Sequence, residues 1–122
     1  MSSENRFVRD FVVDGYPFRF VVTKANQLVL LNMTRKFDKW GDELPPDMYQ
    51  PLDPVIGAKV YRECFKYALE AIFGLRLKTF WFSIGLEEKR FGLYNRLADR
   101  LSEKYGFYCL KSGGLFRFYR FA

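Results

Sequence analysis

The sequence predicts an α+β protein: a mixed, mostly antiparallel sheet with two flanking helices, in the order β-β-β-α-β-α-β-β. Three observations carry this. Alternating runs rich in Val and Phe, joined by turn residues, fill the first third of the chain. Two long amphipathic segments follow, at 53–74 and 86–106, separated by the apolar run "LKTFWFSI". Two aromatic runs then close the chain. An antiparallel front with crossover helices behind it gives one mixed sheet. At 122 residues the chain has room for one domain, spanning 1–122.

"RFVRDFVV" (6–13) alternates as a strand does, and "DG" at 14–15 is a hairpin signal. "YPFRFVVT" (16–23) is the returning strand. Its Pro17 stands near the start, where a missing N–H does least harm. "AN" at 25–26 makes the next turn, and "QLVLLNM" (27–33) a third strand. Residues 37–54 hold four of the five prolines and read as one long irregular loop. Two readings stand for it: a flap with Trp40 and Tyr49 packed on the core, or a loop that contacts a ligand.

The first helix is predicted at 53–74, with Asp53 as cap and Pro54 in the first position. Ile56, Val60, Cys64, Ala68 and Ile72 form its apolar stripe, widened by Tyr61, Phe65, Leu69 and Phe73. Gly74 is positioned to end it in a left-handed conformation. The near-continuous apolar run at 77–84 predicts a central strand covered on both faces. The second helix, 86–106, has Phe91, Tyr94, Ala98, Leu101 and Tyr105 on one face. Glu87 and Glu88 favour its positive end, and Gly92 marks a bend or a late start. "FYCLK", the turn "SGG" and "LFRFYRF" complete the sheet. In the last strand Phe116 and Phe118 point one way, and Leu115, Tyr119 and Phe121 the other.

Composition removes several function classes. The chain has no histidine, which excludes His-dependent triads, His metal sites and imidazole bases. Cys64 and Cys109 show no C-x-x-C or zinc spacing and read as two reduced, buried thiols. No apolar stretch approaches the roughly 20 residues that span a bilayer. Met1 is followed by Ser-Ser-Glu-Asn, not by the apolar run of a signal peptide, so a cytoplasmic protein is expected. The net charge of +6 suits an anionic partner.

One stretch, "NRLADRLSEKYGF", goes further. Asn95, Ala98, Leu101, Lys104, Gly106 and Phe107 match Asn-x-x-Ala-x-x-Leu-Tyr-x-Lys-x-Gly-Phe at their offsets. That pattern is common in the second core helix of GNAT N-acyltransferases. With the element order, the chain resembles a compact GNAT fold lacking the first strand and first two helices. The resemblance implies an acyl-coenzyme A site between the central strand and its neighbour, with Gly57, Ala58 and Asn95 as cofactor contacts. Departures accompany it. Ser102 replaces the Tyr that the family is proposed to use to protonate the thiolate of coenzyme A. The family's phosphate loop reads Gln/Arg-x-x-Gly-x-Gly/Ala. With Ala58 in its last position, Ile56 and Asp53 occupy the other two key positions, so one of three matches. The strand before that helix carries no acid to act as a base. Coenzyme A is therefore expected to bind weakly or not at all. Compact, degenerate members of this kind occur in bacteriophages, and the resemblance extends that origin to this chain.

Basic residues supply the remaining candidates. Arg96, Arg100 and Lys104 recur every four residues, beside Asp99 and Glu103, which are expected to neutralise them in part. Arg117 and Arg120 lie among the aromatics of the last strand, a pattern that suits base stacking, although no Lys/Arg-Gly-Phe signature is present. The function read from the sequence is a noncatalytic or degenerate GNAT-fold module that binds a protein or nucleic acid through these five residues. The alternative is an acyl-coenzyme A-dependent N-acyltransferase acting on an amine.

Overall fold

The computed structural model describes residues 5–45, 47–48, 54–83 and 91–120. Its elements run β1 (Phe7–Val13), β2 (Tyr16–Val22), β3 (Leu28–Asn32), β4 (Asp47–Met48), α1 (Pro54–Gly74), β5 (Thr79–Ser83), α2 (Phe91–Tyr105), β6 (Tyr108–Ser112) and β7 (Leu115–Tyr119). The predicted order is present, with one addition. The two residues of β4 pair with β3, so part of the 37–54 segment belongs to a sheet.

The sheet is not one continuous ladder. β1-β2-β3-β4 form one antiparallel sheet, and β5-β7-β6 a second. Among the described residues they meet at one parallel bridge, Gln27 to Trp81. Asn26 and Trp81 make the seam: the Trp81 N–H donates to the Asn26 carbonyl (3.1 Å), and Asn26 Nδ2 donates to the Thr79 carbonyl (3.1 Å). The Trp81 indole N–H donates to the Ala25 carbonyl at 3.1 Å. β5 is thus an edge of its own ladder, not the central strand of one sheet.

Local chemistry sets the turns. Asp14 and Gly15 both have positive φ (49° and 85°), the geometry of a type I′ hairpin, whose twist matches the strands it joins. α1 ends at Gly74 as predicted, but Gly74 is not the left-handed residue. The left-handed residue is Arg76 (φ 54°), with its N–H bonded to the Phe73 carbonyl and the Leu77 N–H to the Ile72 carbonyl. This is a Schellman cap, closed by contact between the apolar residues on either side of it. Both Leu77 and Ile72 are buried, so the core fixes where the helix stops.

A single core joins both sheets and both helices. Phe18, Phe20, Phe80, Phe116 and Phe118 face Val60, Ala68, Ala71 and Ile72 of α1 and Leu97, Ala98 and Leu101 of α2. Phe80 stacks on Phe118 at 4.7 Å and Phe82 on Phe116 at 4.9 Å. The helices touch where the Phe73 and Tyr105 rings approach to 5.5 Å. α1 packs mainly on β1 and β2, and α2 on β6. Phe73, assigned to the stripe of α1, is largely exposed. The predicted cap Asp53, the first-turn acids Glu87 and Glu88, and Tyr49 lie outside the described residues.

Candidate nucleic-acid interface

The second sheet has one buried face and one open face, which corrects the expectation that the 77–84 strand is covered on both sides. Phe80, Phe82, Phe116 and Phe118 point into the core. The alternate residues point away, and the strand register assembles them in rows. Thr79, Tyr119 and Tyr108 form one row, Trp81, Arg117 and Leu110 the next, and Ser83, Leu115 and Ser112 the third. Tyr108 is 56% exposed and Leu110 48%. Trp81, Tyr119 and Leu115 are half-buried, and Arg117 is exposed at the centre. A shallow trough of about 480 Å³ runs over β5 and β7, lined by Thr79, Trp81, Leu115, Arg117 and Tyr119 with Phe80 and Phe118 at its floor.

The rows of this face carry one charged side chain, Arg117. β5, β6 and β7 contain no Asp or Glu. Among the described residues, Arg117 has no acidic partner, whereas Arg19 and Arg35 each hold one, Asp10 and Glu43. Those guanidiniums hold the Asp10 and Glu43 carboxyls below the usual carboxylate range through hydrogen bonding. An exposed Arg without such a partner keeps its donors for a ligand.

The other sequence candidates separate. Arg96, Arg100 and Lys104 are exposed on α2, in the helix layer, while Arg117 lies on the opposite side of the sheet. Arg100 stacks over the Phe65 ring of α1 at 5.2 Å. Asp99 forms an ion pair outside its own helix. It reaches Lys111 of β6 at 3.8 Å, and Lys111 donates to Asn95 Oδ1 at 2.6 Å. Asn95 is thus engaged with β6. Arg120, past the end of β7, lies over the Phe107 ring at 5.4 Å, which faces the core. Gly57 and Ala58 stand in the opening turns of α1, with Ala58 exposed.

Trp81, Tyr108 and Leu110 were absent from the sequence candidates. Trp81 counted as core because it sits in an apolar run. Tyr108 and Leu110 are visible only once the register sets them beside Tyr119 and Arg117. The alternation noted in the last strand was the usable signal.

Elsewhere the groups that could do chemistry are few. Burial pushes the Cys64 thiol up to about 12, which keeps it protonated and non-nucleophilic. Burial also raises Cys109; both cysteines are free, and both are half-buried at the edge of the core, not fully buried as expected. Tyr61 is raised mainly by burial, with Arg100 acting the other way. No cluster of three or more Cys, Asp or Glu among the described residues is arranged to hold a metal. No helix of the described residues is long and apolar enough to cross a membrane. No family model, curated protein or solved structure matches the chain.

Proposed function

We propose that this chain is a noncatalytic binding module, a degenerate form of the GNAT-like fold, and that its partner is a nucleic acid. One observation carries the reading: Arg117, without an acidic partner among the described residues, stands among aromatic and apolar side chains on an open sheet face whose three strands contain no acid. A polyanion gains there from the cation, from the rings and from release of its own counterions. A protein partner is the competing occupant. It fits the apolar content equally well but gives no reason for a central Arg without an acidic partner among the described residues. The same reading places the protein in the cytoplasm and, by likeness to compact phage-encoded members of the fold, in a bacteriophage.

The test is a fluorescence-polarisation titration with labelled DNA and RNA oligonucleotides at 50 and 200 mM salt. With Arg117 making one phosphate contact, affinity should fall roughly threefold between the two salt concentrations. Arg117→Ala should lower affinity and reduce the salt slope by about one. Arg96→Ala with Arg100→Ala, in the helix layer, should change both far less. No binding at the lower salt would overturn the reading, and loss of binding only in the helix variant would move the surface to α2.

The acyltransferase reading keeps one observation in its favour. Among the described residues, the strand ladders of β3 and β5 are joined by the Gln27–Trp81 bridge, where the two strands part. The resemblance places acyl-coenzyme A between two such strands, near the start of α1. Ser102, at the position of the family's Tyr, lacks the acidity and reach to protonate a thiolate. Calorimetry with coenzyme A and acetyl-coenzyme A should show weak binding or none. Sub-micromolar affinity would restore an enzyme.

A further inference from the structure

We infer that the open face of β5, β7 and β6 takes single-stranded rather than duplex nucleic acid, with unpaired bases stacked on Trp81, Tyr119 and Tyr108. This rests on the nucleic-acid reading and specifies the form of the ligand. Shape comes first. Duplex sequence is reached by a helix or ribbon that enters a groove, and a shallow trough in a sheet face offers neither. In a duplex the flat faces of the bases are already stacked on one another. In a single strand they are free to lie on a ring.

The rings are placed for this. Tyr108 and Tyr119 are direct cross-strand partners, on strands spaced about 4.8 Å apart. Trp81 lies across the trough, one row along, opposite Arg117. Its indole N–H bond to the Ala25 carbonyl holds the ring in position before any ligand arrives. A ring fixed in advance loses little freedom on binding. The trough runs between Trp81 of β5 and Arg117 and Tyr119 of β7, open along its length to a strand laid across it. Arg117 is central to the face, within reach of a phosphate or of the plane of a neighbouring base. The exposed hydroxyls of Thr79, Ser83 and Ser112 flank the rings with polar groups for sugar or phosphate.

The chain has two tryptophans, and Trp40 is 75% exposed on a separate loop, so Trp40→Phe leaves Trp81 as the only indole. That variant is titrated with a labelled thymidine 15-mer and with a duplex of equal length at 50 mM salt. Trp81 emission and oligonucleotide polarisation are both read. The single strand should bind at least tenfold more tightly and quench Trp81. Tyr108→Ala and Tyr119→Ala should each weaken single-strand binding roughly 5- to 100-fold, the range for loss of one stacked ring. Tyr108→Phe and Tyr119→Phe keep the ring and should retain most of the affinity, which separates stacking from misfolding. Equal affinity for both forms, or binding with unchanged Trp81 emission and no effect of the Ala variants, would overturn the inference while leaving a backbone-binding module in place. No binding of either form would overturn both.

Discussion

Gly106 has a φ of +75°, and a Cβ added there would meet nothing within 4 Å. Its N–H closes α2 on the Ser102 carbonyl at 3.2 Å, and buried Phe107 follows directly. The cost of a side chain is therefore conformational and not steric. Gly106→Ala should destabilise the fold by about 1 kcal/mol or more, read as a lower urea midpoint with unchanged slope. This residue was legible because a helix that must turn at once into a strand calls for a left-handed link. Arg76 was not, because its conformation is dictated by the burial of Leu77 and not by its own side chain. Cys64 gives a second residue-level prediction. An unfolded chain ionises this thiol near 9.0, and the fold holds the proton until about 12. Between those values the unfolded chain has released a proton that the folded chain keeps. The contribution is fully present below pH 9.0 and is lost as pH rises toward 12. Stability should fall over that window in the wild type, and less steeply in Cys64→Ala. Parallel declines in urea titrations at pH 8, 9 and 10 would refute it.

The elements show where pattern succeeds and where it fails. Alternation located β1 and β7, because each buries only one face, and period-two signals report that arrangement directly; β2, with Phe20, Val21 and Val22 all buried, and β3, half-buried after Leu28, were marked by their apolar content and flanking turns instead. It misjudged β5, where Thr79, Trp81 and Ser83 lie on the open side. Trp81 counts as apolar in a pattern, yet it spends its N–H on Ala25 and presents a half-buried ring. The segment after β3 was misread as structureless. Phe37 bridges Glu43, Arg35 grips the Glu43 carboxylate with two bonds (3.1 and 2.9 Å), and Asp38 Oδ1 accepts the Trp40 and Asp42 N–H groups at 2.9 Å each. These contacts hold Trp40 out in solvent, so it does not serve as a flap on the core. Their side-chain partners are set by loop geometry that no periodicity encodes. The cap of α1 offers the prediction at this scale. Arg76 takes a left-handed φ without being Gly, at a position where Gly is the common residue. Arg76→Gly should raise stability by roughly 0.5–1 kcal/mol, visible as a higher urea midpoint. A lower midpoint would mean that the Arg side chain contributes more than its backbone costs.

At the scale of the molecule, two sheets share one core but barely share hydrogen bonds. The rings of Phe18, Phe20, Phe80 and Phe118 are almost fully buried together, so apolar burial couples the halves. The backbone link is narrow by comparison: one parallel bridge, with Asn26 donating to Thr79 and accepting from Trp81. The sequence showed the strands but not this break, because the register between β3 and β5 is set by tertiary packing and by no local turn. Asn26 also has a φ of 62°, which an Asn tolerates and Ala does not. Two substitutions separate these roles. Asn26→Gly keeps the backbone conformation and removes the side-chain bonds to Thr79 and to Arg6. It should cost about 1–2 kcal/mol, the sum expected for two partly exposed hydrogen bonds. Asn26→Ala loses the same bonds and adds left-handed strain, so it should cost about 1 kcal/mol more. If the shared core couples the sheets, both variants still unfold in one transition. Trp81 emission in the Trp40→Phe background and far-ultraviolet circular dichroism then give the same urea midpoint. Midpoints that separate in Asn26→Gly would show that the seam, and not the core, holds the two sheets together.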